Sequence, residues 1–274
     1  MGELNFIEDI LEKTGDYVRS NYANRRLLPV NSKAHANDFL TEVDIKVQKQ
    51  LVAEIQQTFP GDSILAEESG LNAYPDKIPD RCWAIDPIDG TQNFLRGLFP
   101  AFGISLALIE RGIIVAGGIL MPVQGDIFLS ALGKGALKNN RPIRVTETAD
   151  LALARVDVDF DGPANREEII KRSRKLLVKA GQIRSNACSV VGFCGVASGE
   201  QEAYMVLGIN TWDIAAGVIL VTEAGGTVTR FDGSPVNPFD SRKDALISNG
   251  VIHHVCLEEI QLPEPAVLRE PPLR

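Results

Sequence analysis

Hydrophobic residues recur at helical spacing near the start of the chain. Leu4, Ile7 and Leu11 are three or four residues apart, which predicts an amphipathic helix over residues 3–22. A second stretch with the same spacing predicts a helix over residues 41–59, which the following Pro-Gly pair should end.

The pattern then changes to short apolar runs separated by turn residues. Glycine-containing turns near residues 110–112 and 124–125 separate the last three runs, so we expect these runs to form an antiparallel meander. Pro87 should end the second run, and Gly90-Thr91 should begin a helix. The predicted strands are 63–66, 82–85, 102–109, 113–121 and 127–131.

From Val145 onwards, strand-like and helix-like segments alternate, which indicates a layer of α/β type. We therefore expect an α+β domain over residues 1–145 and an α/β domain over 146–261. Residues 262–274 contain four prolines and should be poorly ordered. The predicted elements are a strand at 156–160, a helix at 167–180, an extended segment at 182–186, a helix at 190–197 and a helix from Trp212 that ends before Gly225.

Composition narrows the classes of function. The 274 residues include 36 acidic and 28 basic side chains, a net charge of −8, with no long basic run, so we expect no nucleic-acid binding. Four cysteines without C-x-x-C spacing indicate reduced thiols in a cytoplasmic protein. No export signal or lipid anchor is visible, and the apolar stretches are too short to span a bilayer, so we expect no membrane association.

Two carboxylates, Asp86 and Asp89, lie three residues apart between an apolar run and Gly90-Thr91. A strand end would then place acidic side chains opposite the amides of a helix start. Carboxylate oxygens beside such amides could hold a divalent cation and a phosphate together. The negative net charge makes bound cations necessary for any phosphate chemistry.

Other carboxylates also lie at predicted element ends. Glu67 follows an apolar strand, Asp213 opens a helix and Asp44 lies within the helix 41–59. With three histidines in the chain, an oxygen-only Mg²⁺ or Mn²⁺ site fits this set better than a zinc site.

The segment from Asp157 to Glu168 matches an EF-hand calcium loop. However, its first ligands fall on a predicted strand, and Pro163 occupies the position of the backbone-carbonyl ligand. We favour a loop in which Asn165 caps the next helix and Glu168 closes a capping box.

Three further features favour structural interpretations. Gly133-Lys134-Gly135 lacks phosphate-loop spacing and indicates a tight turn. His35, His253 and His254 have no nucleophile motif near them, which disfavours a histidine-based triad. Cys188 and Cys194 are predicted to be small core residues.

The acidic motifs together resemble those of the inositol monophosphatase family. The likeness extends to about Asn249 and includes Lys33 with the segment 41–44. The motifs in order are Glu67-Glu68-Ser69, the segment WAIDPIDGTQNF from Trp83 to Phe94, WDIAA from Trp212, and EAGG from Glu223.

The resemblance implies a Mg²⁺-dependent phosphomonoesterase with a layered α-β-α-β-α fold, usually dimeric and inhibited by Li⁺, with two to three metal ions and Mn²⁺ as a possible substitute. For the metals, it implies that Glu67, Asp86 and the Ile88 carbonyl bind the first ion, that Asp86, Asp89 and Asp213 bind the second, and that Glu67 faces a third. For the attacking water, it implies that Asp44 and Thr91, with Glu67, orient and deprotonate it. For the substrate, it implies contacts from Ile88, Asp89, Gly90, Thr91 and Asp213, with the amides of Gly90 and Thr91 holding the phosphate.

Two departures from the family pattern concern the substrate alcohol. Members that prefer inositol monophosphate carry a glutamate where this chain has Val206, whose side chain cannot accept a hydrogen bond. The small loop that usually reads Gly-Ser/Thr-Ala is Ala187-Cys188-Ser189. Inositol 1-phosphate is the default substrate, and small phosphorylated polyols, sugars or nucleotides are the expected class. Fructose 1,6-bisphosphate, 3′-phosphoadenosine 5′-phosphate and histidinol phosphate are alternatives, and a regulatory binding protein is the alternative from another class.

Overall fold

The computed structural model describes residues 2–32, 39–68, 70–97, 99–160 and 164–260. Predictions that fall on other residues are those for Lys33, His35, Ser69, the calcium-loop residues 161–163 and the tail 262–274.

Seven α-helices lie in the described part of the chain, and the predicted helices are confirmed to within about two residues. The helices are α1 Glu3–Tyr22, α2 Glu42–Thr58, α3 Thr91–Arg96, α4 Arg166–Lys179, α5 Ser189–Ala197, α6 Thr211–Glu223 and α7 His253–Glu259.

The strands of the described residues form three sheets. β1 (Val30–Ser32) and β2 (Phe39–Thr41) form an antiparallel pair. A seven-stranded sheet contains, in spatial order, β3 Ser63–Ala66, β4 Arg81–Asp89, β5 Gly103–Glu110, β6 Ile113–Met121, β7 Asp126–Ala131, β8 Ala136–Lys138 and β9 Arg141–Ile143. A five-stranded sheet has the spatial order β11 Gln182–Arg184, β10 Arg155–Val158, β12 Ala203–Leu207, β14 Asp244–Ser248 and β13 Thr227–Thr229.

The sheets and helices stack as five layers. α1 and α2 cover one face of the large sheet, α5 and α6 lie between the two sheets, and α4 and α7 cover the outer face of the smaller sheet. Three groups of buried apolar residues fill the spaces between layers. The predicted α-β-α-β-α architecture is confirmed.

Two adjacent glycines in β6 let helices approach both faces of the large sheet. A Cβ on Gly118 would lie 2.5 Å from the Ile7 side chain of α1. A Cβ on Gly117 would lie 2.9 Å from the Ala216 Cα of α6. Because α6 sits this close to the sheet, its first turn, which contains Asp213, lies near the end of β4.

The large sheet also corrects one prediction. The meander of β5, β6 and β7 is confirmed, but Pro87 does not end its strand, since β4 continues to Asp89. The pairing of β4 with β5 shifts register between Asp86 and Asp89. Proline has no amide hydrogen to donate and is tolerated at such an irregularity.

The two larger sheets fall on either side of residue 145, yet α6 from the second half packs against the first sheet. The domain boundary at residue 145 therefore stays a prediction. Within the described ranges, no helix combines the length and apolar character needed to cross a membrane.

Candidate active site

The end of β4 and the start of α3 form the centre of the site. Asp86 is 2% exposed, and its Oδ1 accepts a hydrogen bond of 3.0 Å from the amide of Ile88. Gly90 has φ +85°, a left-handed conformation that glycine adopts without strain, and it turns the chain from the strand into α3. The predicted strand-to-helix junction at Gly90-Thr91 is confirmed.

A hydroxyl joins this junction to α2. Thr91 Oγ1 lies 3.1 Å from Asp44 Oδ1 and 3.0 Å from the Ile88 carbonyl oxygen. Asp44 is fully buried, and its Oδ2 accepts hydrogen bonds from the amide and hydroxyl of Thr41 in a capping box. The structure thus brings together Asp44 and Thr91, which the resemblance paired, while their role stays a prediction.

Asp89 is held by the segment that begins α5. Its Oδ2 accepts a hydrogen bond from the amide of Val190, and Cys188 Sγ lies 3.5 Å from the same oxygen. Cys188 is buried, as predicted, but it contacts the site rather than only the core. The amide at the start of α5 is a contact that sequence patterns did not reveal.

Asp213 lies in the first turn of α6. Its Oδ2 accepts hydrogen bonds from the amide of Asn210 at 2.8 Å and from its side-chain nitrogen at 3.3 Å. The Tyr74 hydroxyl lies 3.1 Å from the Thr211 amide nitrogen, so the loop before β4 fixes the start of α6. These bonds set the position of Asp213 relative to Asp86.

The clustered carboxyl groups of the site raise one another's pKa values. Burial, followed by the charges of Glu67, Asp89 and Asp213, raises the pKa of Asp86 well above its usual value. Burial and then Asp213 raise the pKa of Asp89, while burial and then Glu67 raise that of Asp213. Asp86 is hydrogen bonded to both Glu67 and Asp213. Such a cluster holds protons at neutral pH unless a cation compensates its charge.

The donor set fits hard divalent cations. Four carboxylates and the Ile88 carbonyl supply oxygen ligands of the kind that Mg²⁺ binds. Within the described residues, no three His, Cys, Asp or Glu side chains are already arranged around one ion position. The ligand assignment therefore stays a prediction.

A cavity of about 240 Å³ opens over these groups. Every predicted metal and substrate residue lines it, and Asp44 lies behind Thr91. Val206, Ala187 and Ser189, the positions expected to contact the alcohol, also line it. The predicted metal and substrate residues on its wall are Glu67, Asp86, Ile88, Asp89, Gly90, Thr91 and Asp213.

Residues that the sequence did not single out as site residues also line the cavity. Asp159 and Asn165 belong only to the calcium-loop pattern, and Leu207, Gly208 and Ile209 belong to no sequence motif. Asn93, inside the acidic motif, donates hydrogen bonds of 2.8 Å to the carbonyls of Ala101 and Asn186. It thereby ties α3 to the loop that precedes α5.

The predicted capping box at α4 is wrong. Asn165 occupies the N-cap position, but its side chain makes no capping bond and instead lies 3.4 Å from the Leu207 carbonyl oxygen. Glu168 pairs with Arg172 one helical turn later. A tertiary contact has replaced the local one.

The calcium-loop pattern at Asp157 and the glycine-rich segment 133–135 both have structural explanations. Asp157 lies on β10, not after a helix, and its carboxylate accepts hydrogen bonds from the amide and side chain of Asn186. The amides of Gly133 and Gly135 donate to the carboxylate of Glu223, which confirms a turn whose amides already have an anionic partner.

Comparisons with known proteins agree with this geometry. The chain is 37% identical over 257 residues to a fructose-1,6-bisphosphatase/inositol-1-monophosphatase of Thermotoga maritima, covering 92% of this chain and 93% of that relative. It is 36% identical over 208 residues to a Nus factor SuhB of Xylella fastidiosa, covering 75% and 74%.

Solved structures share the fold. An IMPase of Thermotoga maritima superposes with a TM-score of 0.83 at 33% identity, covering 94% of this chain and 96% of that one. An extragenic suppressor protein suhB of Bartonella henselae gives 0.84 at 28% identity, covering 93% and 96%. The sequence model of the inositol monophosphatase family matches residues 3–261. The chain therefore belongs to the inositol monophosphatase family of phosphomonoesterases.

Proposed function

We propose that this chain hydrolyses a small phosphate monoester with Mg²⁺, with inositol 1-phosphate as the default substrate. The observation that carries the proposal is the convergence of Glu67, Asp86, Asp89 and Asp213 on one cavity beside Thr91. These carboxylates are far apart in the chain, with 146 positions between Glu67 and Asp213. Ordinary surface carboxylates have no reason to meet in one cavity, so the cluster indicates a functional site.

Two to three Mg²⁺ ions would be held by these four carboxylates and the Ile88 carbonyl. When bound, they would lower the pKa of the attacking water and neutralise the charge of the phosphate. The amides of Gly90 and Thr91, at the start of α3, would hold the phosphate oxygens, since the first amides of a helix have no partner within it.

Asp44 and Thr91 would position the attacking water. If Thr91 Oγ1 donates its hydrogen to Asp44 Oδ1, its lone pairs remain available to accept a hydrogen bond from a water in the cavity. Burial of Asp44 fixes this relay, because its other oxygen is held by Thr41. The proton would then move from water towards Asp44.

Phosphate release from a panel of monoesters tests this function. The panel contains inositol 1-phosphate, fructose 1,6-bisphosphate, 3′-phosphoadenosine 5′-phosphate and histidinol phosphate, each with Mg²⁺ and with EDTA. We expect Mg²⁺-dependent release from at least one substrate and none with EDTA. Equal rates under both conditions would contradict the metal-dependent mechanism.

A regulatory role is a second candidate, because several relatives that align with most of this chain are named Nus factor SuhB. Such a role would not require catalysis. Failure of the wild-type protein to release phosphate from every member of the panel would favour it.

A further inference from the structure

One part of the cavity is lined by residues outside the family motifs. Val206 and Ile209, both 4% exposed, form its apolar floor, and Asp159, Asn165 and the Leu207 backbone lie around it. We call this region the alcohol end, because a phosphate held over Asp86 would direct its leaving group there.

We propose that the alcohol end selects a leaving alcohol that donates hydrogen bonds and carries no second phosphate, through Asp159 and Asn165. This inference rests on the proposed function, since it concerns the leaving group of the same reaction. The carboxylate of Asp159 would supply the acceptor that is missing at Val206.

Asp159 is fixed at the wall by its backbone. It follows directly after β10, and its amide donates a hydrogen bond of 3.0 Å to the carbonyl of Met205 in β12, next to Val206. Asp159 lines the same cavity as Asp89 and Asp213, so it borders the interior of the site. A carboxylate here can accept hydrogen bonds from substrate hydroxyls or an ammonium group.

Asn165 is fixed by close packing over Gly208. Its Nδ2 lies 3.4 Å from the Leu207 carbonyl oxygen, and a Cβ on Gly208 would lie 2.4 Å from the same nitrogen. Gly208 has φ +101°, and its amide donates to the carbonyl of Lys243. Because this backbone is anchored and leaves no space for a larger residue, the amide of Asn165 has a defined position at the rim.

The charge of the lining argues against a second phosphate. Among the described residues that line the cavity, five are carboxylates and none is Lys, Arg or His. Metal ions at Asp86 would compensate the reacting phosphate, but a second phosphate at the alcohol end would face Asp159. Like charges in a partly enclosed site repel each other.

The size and polarity of the cavity agree with a compact polyol. A volume of about 240 Å³ is below the 300–1,000 Å³ that is typical of pockets for drug-sized ligands. An apolar floor can pack against the C–H groups of a ring or short chain, while Asp159 and Asn165 meet its hydroxyls. Inositol and histidinol phosphates satisfy these conditions, whereas bisphosphates do not.

Two matched pairs of substrates test the inference. Fructose 1-phosphate and fructose 1,6-bisphosphate differ by one phosphate, while inositol 1-phosphate and cyclohexyl phosphate differ by the ring hydroxyls. The quantity measured is the ratio of kcat/KM within each pair, with Mg²⁺. Ratios cancel any effect of a variant on metal loading or on the chemical step.

We expect the wild type to prefer the first member of each pair by about 10-fold or more. Asp159→Asn, which removes the charge, should lower the fructose ratio by about 5-fold or more, and Asp159→Ala should lower the inositol ratio by about 10-fold. Asn165→Ala should lower the inositol ratio less. Asp9→Asn, an exposed residue of α1, is the control and should leave both ratios unchanged.

Wild-type ratios near one, or ratios unchanged in both Asp159 variants, would overturn the inference while leaving the phosphatase function intact. Absence of Mg²⁺-dependent release from all four substrates would instead refute the proposed function. If Asp159→Ala fails to fold, the isosteric Asp159→Asn and the wild-type ratios still decide the outcome.

Discussion

The two ends of the cavity differ in how the chain builds them. At the phosphate end, Asp86, Asp89 and Thr91 come from one short segment, in which Asp86 and Thr91 both hydrogen bond locally with the backbone of Ile88. At the alcohol end, Asp159, Asn165 and Gly208 come from two loops that meet only in the folded protein.

This difference separates chemistry from specificity. In the proposed mechanism, the phosphate end requires several carboxylates that lie close together. The alcohol end only has to contact the leaving alcohol, which different side chains can do. Here Val206 and Ala187 depart from the family pattern, while the carboxylates do not. We infer that changes at the phosphate end affect all substrates, whereas changes at the alcohol end affect some substrates more than others.

Apart from the proposed metal ligands themselves, the largest expected effect is at Thr91. Thr91→Val removes the hydroxyl between Asp44 and the cavity while keeping a similar shape. We expect kcat to fall by about 10²–10⁴-fold for every substrate, since this is the usual contribution of positioned proton transfer. Steady-state phosphate release measures it. Thr222→Val, which alters an exposed hydroxyl of α6, is the matched control, and equal rates for the two variants would contradict the relay.

The next effect is the pH dependence of stabilisation by Mg²⁺. Burial and neighbouring carboxylates raise the pKa of Asp89 from 3.8 to about 8 and that of Asp213 to about 7. The metal-free folded protein therefore holds protons that the unfolded chain releases, and its free energy of unfolding falls as pH rises from about 4 towards 8. Each unit of pKa difference corresponds to about 1.4 kcal/mol.

Because Mg²⁺ can replace these protons, its stabilising effect should be greater at pH 8 than at pH 5. Calorimetric Tm values with Mg²⁺ and with EDTA should differ by at least several degrees more at the higher pH. Asp89→Asn should weaken this trend. A shift in Tm that does not change with pH would refute the assignment of these carboxylates as ligands.

A smaller and more selective effect is expected at Gly208. Gly208→Ala would place a Cβ against Asn165 and strain a left-handed backbone. We expect kcat/KM for inositol 1-phosphate to fall about 10-fold, and that for cyclohexyl phosphate to fall less. Equal losses for the two substrates would indicate general damage rather than a role in specificity. Gly125→Ala, also at positive φ but with open space around it, controls for backbone strain alone.

The smallest effect concerns Ala187, which has φ +54°, where the family usually carries glycine. A left-handed alanine costs about 1 kcal/mol or more, partly offset by the greater flexibility of glycine in the unfolded chain. Ala187→Gly should therefore raise the free energy of unfolding by up to about 1 kcal/mol in denaturant titration. Destabilisation of similar size would show that the strain is absent.

Local patterns made much of the fold and the phosphate end predictable. Helical spacing gave α1 and α2, and turn residues gave the meander, because both depend on neighbouring positions in the chain. The acidic segment could be recognised because its members lie close together in sequence. Pro87 misled the strand prediction, since a proline can sit at a register shift that only the pairing with β5 reveals.

The alcohol end could not be predicted in the same way. Asn165 has the sequence context of a helix cap, yet its contact with Leu207, 42 positions away, replaced the local bond. Asp159 matched a calcium loop, and its place on the cavity wall depends on β10 pairing with β12. Neither contact leaves a signal in the spacing of residues along one chain.

The central claim is that the carboxylate cluster around Asp86 performs Mg²⁺-dependent phosphate release. The most direct measurement is the rate of phosphate release by Asp86→Asn at saturating Mg²⁺, compared with wild type and with Asp9→Asn, on a substrate that the wild type hydrolyses. We predict that Asp86→Asn folds and loses nearly all turnover, while Asp9→Asn keeps wild-type activity. Near-normal turnover by folded Asp86→Asn would contradict the account.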